Sequence, residues 1–459
     1  MEFIQQGGVH NGGSCLRAKT TLKHQVGFDT DIGGGRENQD SFFVWSKPSI
    51  TQGVDNILVI GVLDGHGREV GKVAAVAAKI SLLKYFDEYH EQLHVNPYEC
   101  LVRAHDIAHT NVKEAFRVQM IKEGYEVEDT PEGYLRRRKF AGNAWTCIHG
   151  GTSCSIIAIV GYNLFIANVG DSSGTLCCPS SVLSKSYIHH LGDAAIPPAI
   201  TSENVGSIAI NSDGPTDTLV VTAEHSPESV LEFCRLRSFK HREGNALQPS
   251  LVVVYDSSSH DKTQCSPVFD VDPEGRPTVT NHGKYYKNVR KEWASLVCTP
   301  NTALYSDALA FTRSLGDLHL HAYGVSHMPE VQYINLNEIL SVLEASGPYV
   351  PPPTSDPAAA VISNVNIPPM ICIVLATDGV WDNWKYEDVT KFVLDVSCLD
   401  AVATRGDGAA RVAQSFMQRN SIHGKRNFGT QADNATGIVL YLSDAPSFIH
   451  TDAVNSLPY

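Results

Sequence analysis

No apolar run in this chain approaches the about 20 residues needed to cross a bilayer, so a membrane-spanning role is not expected. Basic residues are in short supply. The 36 Lys and Arg against 50 Asp and Glu give a formal net charge of -14, whereas a general nucleic-acid binder needs basic surface to displace counterions from phosphate. Cysteine is sparse too: eleven in 459 residues, an odd number with no CxxC pair, Cys177 and Cys178 being merely adjacent. That argues against a disulfide framework or a thiolate metal site and for a reduced intracellular chain. The opening MEFIQQGGVHNGGSCLRAKT lacks an apolar signal region, and Glu2 argues against myristoylation. The expectation is a soluble, monomeric cytoplasmic or nuclear protein. There is neither a fixed-period repeat nor a nucleotide-binding loop.

What the chain does have is a set of apolar runs that end in acid. VIGVLDGHG at 59–67 and ATDGVWD at 376–382 each read as a buried strand that delivers a carboxylate into a tight turn. NVGD at 168–171 and ADN at 432–434 add two more, so Asp64, Asp171, Asp378, Asp382 and Asp433 form a candidate metal site. Hard ions such as Mg²⁺ and Mn²⁺ prefer oxygen ligands and retain waters, which suits carboxylates on rigid strand ends better than Cys or His. Any one Asp-Gly turn alone would most often be structural.

With 42% hydrophobic residues the chain can bury a large core, as several domains or as one large catalytic domain with insertions. Strands are expected at 41–45, 56–64, 153–160, 164–169, 219–222, 251–256, 371–377 and 436–442. Helices are expected at 69–90, 99–121, 226–239, 385–396 and 407–419. The apolar strands at 153–160 and 164–169 flank Gly161-Tyr162-Asn163, good hairpin chemistry. Strands separated by helices in pairs do not follow a doubly wound alternation. An α+β fold of two packed antiparallel sheets flanked by helices fits better. Residues 1–24 read as a loose tail or an edge strand and 446–459 as a tail, around a domain at 25–445 with insertions near 123–150, 179–218, 228–307 and 340–369. The Pro-rich 347–357 reads as an exposed loop. The basic-aromatic KYYKNVRKEW at 284–293 suits recognition of acidic phosphopeptides, but reads more simply as a solvated surface strand.

The ordered series RENQD, DGHG, GGTSC with NVGDS, LAFTRSLGD, GV with PEV, ATDGVWD and DNATGIVL resembles the metal-dependent serine/threonine phosphatases of type 2C, from about residue 27 to 442. The resemblance implies a β-sandwich with helices on both outer faces and two divalent ions, Mg²⁺ or Mn²⁺, that activate a bridging water for direct attack on phosphoserine or phosphothreonine in protein substrates. Asp64 would bridge the ions and the Gly65 carbonyl would add an oxygen. Asp378 and Asp433 would serve the other ion, and Asp40 would act near the first. Asp171 and Asp382, with Asp378, match a weaker third-ion position, although Asp171 could cap a turn and Asp382 the helix that follows. His66 would be the general acid.

Arg36 would clamp phosphate through its guanidinium fork, though it lies one residue closer to Asp40 than the family's Arg. Arg313 is either a family position or an internal salt-bridge partner. Gln39, Ser173, Glu224 and Ser226 depart from the usual residues. The alternative reading is a pseudophosphatase, the same fold kept as a binding module without turnover.

Overall fold

In the computed structural model, residues 21–48, 55–192, 215–239, 250–346 and 367–451 are described. The strands Ile57–Leu63, Cys154–Val160, Ile371–Ala376 and Ala435–Ser443 are buried along their whole lengths, as continuous apolar runs require when both faces of a sheet are covered. They belong to two antiparallel sheets. One runs Lys23–Asp31, Ala435–Ser443, Ile371–Ala376, Ser173–Cys177, Thr218–Val220; the other runs His189–Leu191, Glu330–Asn335, Asn163–Val169, Cys154–Val160, Ile57–Leu63, Ser41–Lys47.

Alternation with a period of two decides what each face touches. Leu58, Ile60, Val62, Ile157 and Ile166 of the second sheet meet Ile373, Leu375, Ile438 and Leu440 of the first in one shared core. The intervening Ile57, Val59, Leu63, Phe43 and Trp45 turn outward onto the helices Gly71–Tyr89 and Pro97–Lys122. Cys372, Val374 and Ala376 turn the other way, onto Tyr386–Val393, Val396–Thr404 and Gly408–Phe428. The result is the expected α+β sandwich, helices on both outer faces. Helix Pro97–Lys122 starts as the sequence dictates: Asn96 Oδ1 accepts from the Glu99 N–H at 3.2 Å and Pro97 occupies the first turn.

Several local expectations change. Lys23–Asp31, of which only the first two residues fall in the stretch read as a tail or edge strand, is an edge strand that pairs along its full length with Ala435–Ser443. The 123–150 excursion carries a small sheet of Glu126–Asp129, Leu135–Arg138 and Thr146–Cys147. The helix expected at 226–239 is Val230–Ser238, with Pro227 ahead of it. The weakly patterned stretch up to 302, whose expected strand at 251–256 is seen at Val252–Tyr255, joins the segment after it in a core of its own, including Leu251, Tyr255, Val268, Val297, Leu309 and Phe311. Residues 446–451, expected in a tail, lie on the first strand: Phe448 is buried and Gln25 Nε2 donates to the Ile449 carbonyl at 2.8 Å. Residues 1–20, 193–214 and the Pro-rich 347–357 lie outside the described residues.

Candidate metal centre and its surroundings

Strand register brings the acidic turns to one end of the sandwich. Asp40 precedes Ser41–Lys47, whose Ser41 pairs with Leu63, so Asp64 emerges beside it. Asp171 follows Asn163–Val169 and leads into Ser173, which pairs with Ala376; Asp378 then opens the short helix Asp378–Trp381, and Asp382 closes it. Asp433 stands just before Ala435–Ser443, which pairs with Ile371–Ala376.

The six carboxylates share one electrostatic field centred on Asp378. Burial, then the Asp378 and Asp40 charges, hold Asp64 well above the usual carboxylate range. Burial raises Asp40 to about 7 against hydrogen bonds from Thr436 and Thr377, with Asp378 and Asp433 adding repulsion. Asp171 is pushed to about 7 and Asp433 to about 6, in both by burial and then by Asp378; Asp382 is held well above its ordinary value by the same pair of causes. Carboxylates crowded out of water resist ionisation unless a cation joins them.

The residues fit such a cation. Asp40 Oδ1, Asp171 Oδ1 and Asp378 Oδ1 are buried without a hydrogen-bond partner, and buried polar atoms in native structures are normally satisfied. The donors are all oxygen, as hard divalent ions require. Among the described residues no three of these carboxylates bring oxygens within 4.8 Å of one another. Gly65 is enforced by crowding: an added Cβ would fall 2.4 Å from the Gly71 carbonyl oxygen and 2.7 Å from that of Gln39. Gln39 is spent on structure, its Nε2 donating to the Gly67 carbonyl at 2.9 Å.

His66 lies on the rim, 28% exposed, its Nε2 2.7 Å from Asp317 Oδ2. Burial opposes its charged form, but the Asp317 charge and hydrogen bond, with Asp171 beyond, outweigh it and raise its pKa. Asp317 sits in the left-handed region, φ 41°, and accepts from Ser314 Oγ. Sequence reasoning missed Asp317 as His66's partner although LAFTRSLGD was in view; an acid directly after the buried Leu315-Gly316 was the available signal. It also missed Thr377, whose Oγ1 donates to Asp40 Oδ2 at 2.9 Å.

The 284–293 segment is not a solvated surface strand. It folds over the acidic end: the Val289 N–H donates to the Asp382 carbonyl at 3.1 Å, and Arg290 Nη1 donates to the Trp381 and Trp384 carbonyls. Lys287 lines the same 470 Å³ cavity as Asp171, Asp378 and Asp382. Burial would lower its pKa, but Asp171, Asp382, Glu292 and Asp378 raise it. Asp171 and Asp382 therefore face a cation belonging to the chain. Neither capping alternative is seen: Asp171 Oδ1 is unpartnered, and the helix after Asp382, Tyr386–Val393, has no side-chain cap bond. Arg36 is exposed and makes no ion pair among the described residues. Arg313 is an internal partner, its Nη2 2.6 Å from Glu232 Oε1.

Comparison with known proteins adds a family match: residues 34–194 match the family model described as Protein phosphatase 2C. No curated protein matches the chain. Similar solved structures include a serine-threonine phosphatase 2C from Toxoplasma gondii, 14% identical over 92% of this chain and 95% of that one, TM-score 0.47. Another is a C. elegans sex determining protein, 16% identical over 93% and 66%, TM-score 0.44. A third is the catalytic domain of the serine threonine protein phosphatase PstP in complex with two manganese ions, 14% identical over 92% and 99%, TM-score 0.35.

Proposed function

We propose, from the match of residues 34–194 to the Protein phosphatase 2C family model, that this chain is a metal-dependent phosphatase acting on phosphoserine and phosphothreonine in proteins. The observation that carries the reading is the set of buried, unpartnered oxygens of Asp40, Asp171 and Asp378 at one end of the sandwich. Asp64, Asp378 and Asp433, with Asp40 and the Gly65 carbonyl, are the groups that would hold two Mg²⁺ or Mn²⁺ ions. Such ions, when bound, supply Lewis-acid stabilisation of phosphoryl oxygens and lower the pKa of water.

The chain's own residues do the rest. Asp317 holds His66 through Nε2 and favours its protonated form, which leaves Nδ1–H to be given to the leaving serine or threonine oxygen as the P–O bond breaks. The neutral ring then keeps its Nε2–H on Asp317. A phosphoester needs an exposed rim, and the partial exposure of His66 provides one.

The test is hydrolysis of a phosphothreonine peptide by the purified full chain with Mn²⁺ or Mg²⁺, repeated after chelation. Metal-dependent release of phosphate is expected. The absence of turnover from folded, metal-loaded protein would transfer the reading to the binding module. One observation favours that second reading: Lys287 and Arg290 lie over the acidic end.

A further inference from the structure

Next to the Ser314–Asp317 turn, three imidazoles meet. His109 comes from the middle of helix Pro97–Lys122, His321 ends the short helix Leu318–His321, and His327 lies in the loop that follows. One ligand atom from each can be chosen so that all three lie within 4.8 Å of one another. Ring centroids are 4.5 Å apart for His109 and His321, 4.3 Å for His109 and His327, and 5.6 Å for His321 and His327.

The outer nitrogens are already engaged. His327 Nε2 lies 3.1 Å from Asp106 Oδ1, and His321 Nε2 lies 3.0 Å from the Ser314 carbonyl oxygen. Both acceptors assign the proton to Nε2 and leave a lone pair on Nδ1. A ring N–H held by a carboxylate or a backbone carbonyl is the arrangement that fixes tautomer and orientation in metal-binding histidines. His109 differs: its Nδ1 accepts the Gly316 N–H at 3.2 Å, which assigns its proton to Nε2.

We propose that His109, His321 and His327 form a binding site for one divalent transition-metal ion of the zinc class, separate from the carboxylate centre. Neutral imidazole suits Zn²⁺, Cu²⁺ and Ni²⁺, whereas Mg²⁺ and Mn²⁺ prefer oxygen, so the two sites sort ions by hardness. Three histidines with the fourth position left to water satisfy tetrahedral zinc.

The free arrangement is a stack, with the His109 and His327 planes only 12° apart. Coordination requires each ring to turn an edge inward, which the broad χ2 well of histidine permits. If His109 uses Nε2, its proton moves to Nδ1 and then faces the Gly316 N–H. The turn that carries this N–H also carries Asp317.

The experiment measures binding rather than turnover, so it stands apart from the phosphatase reading. The full chain, stripped of metal and kept reduced, is dialysed against Zn²⁺ in excess Mg²⁺, then loaded with Co²⁺ for visible absorption. The wild type is expected to retain one Zn²⁺ more than His321→Ala, and to show tetrahedral Co²⁺ bands that persist in Asp378→Asn. His327→Gln and Asp106→Asn act at the more exposed edge, where folding is least at risk. His327→Gln should lose the bands, and Asp106→Asn should weaken Zn²⁺ binding at least about tenfold. Equal Zn²⁺ content and equal spectra in the wild type and the folded variants would overturn the proposal, as would a wild type that retains no Zn²⁺ in Mg²⁺.

Discussion

Asp317 Oδ2 sits 2.7 Å from His66 Nε2, linking the LAFTRSLGD turn to the DGHG turn across most of the domain. Asp317 raises the His66 pKa, so the ring stays protonated to higher pH than a free histidine. Asp317→Asn removes that charge while keeping the shape. Turnover of a phosphothreonine peptide should fall on the order of 100-fold, p-nitrophenyl phosphate much less because its leaving group needs no proton. The alkaline limb of the rate profile should move to lower pH. Equal losses on both substrates would remove the general-acid role.

Carboxylates that repel one another without a counter-ion destabilise the metal-free fold. Asp378→Asn and Asp64→Asn should each abolish metal-dependent turnover, yet leave metal-free protein at least as thermally stable as the wild type. The rise in melting temperature that Mg²⁺ or Mn²⁺ gives the wild type, worth about 2.7 kcal/mol at a hundredfold excess over Kd, should be absent in both variants. Differential scanning fluorimetry with and without chelator reads both effects.

Lys287 shares its cavity with Asp171 and Asp382 and, with Arg290, supplies positive charge there. Lys287→Met withdraws the Lys287 charge. The metal-free variant should be less stable than the wild type and should take up an additional divalent ion in calorimetric titration. Unchanged stoichiometry and stability would mean that the ammonium does not neutralise these acids.

Glu232 is buried between Arg235 and Arg313 and also accepts from Thr312 Oγ1. Removing one partner strands buried charge, so Glu232→Gln should cost about 3–5 kcal/mol in urea denaturation. Arg313→Lys should cost less than Glu232→Gln but still be measurable, because an ammonium cannot reproduce the forked contact to Glu232 and the Met328 carbonyl.

Two fully buried histidines set an acid limit. Burial pushes His105 down to about 4 and His225 down to about 3, the latter with help from Arg313. Both lie below the unfolded value near 6.5, so the unfolded chain takes up protons first as pH falls. The stability they contribute is complete above pH 6.5 and is lost from there down towards 4 and 3. Each should give a slope of about 1.4 kcal/mol per pH unit. The metal-site carboxylates, with raised values, act in the opposite sense when no ion is bound; saturating Mg²⁺ keeps them ionised and isolates the histidine effect. His105→Gln should flatten the dependence of the urea midpoint between pH 6 and 5.

Much of the frame was legible because it is local. Buried runs such as 57–63 and 371–376 carry β-branched residues with turn chemistry at their ends, and the acids at 64, 171, 378 and 433 sit where those runs stop. Beyond the strand expected at 251–256 and seen at Val252–Tyr255, the stretch up to 302 was opaque because its remaining strands are three or four residues long, too short for a period to register. Most of Lys23–Asp31 was missed because only part of the strand is buried, its apolar and polar residues mixed.

The sequence by itself determined the α+β sandwich and the set of acids at its strand ends, because alternation and Asp-Gly turns are properties of neighbouring residues. Only the tertiary structure decided that Asp317 serves His66, that Lys287 faces Asp171 and Asp382, and that His109 meets His321 and His327. Those contacts join residues far apart in the chain, brought together by strand register and by the folding of a long insertion. No short-range pattern carries that information.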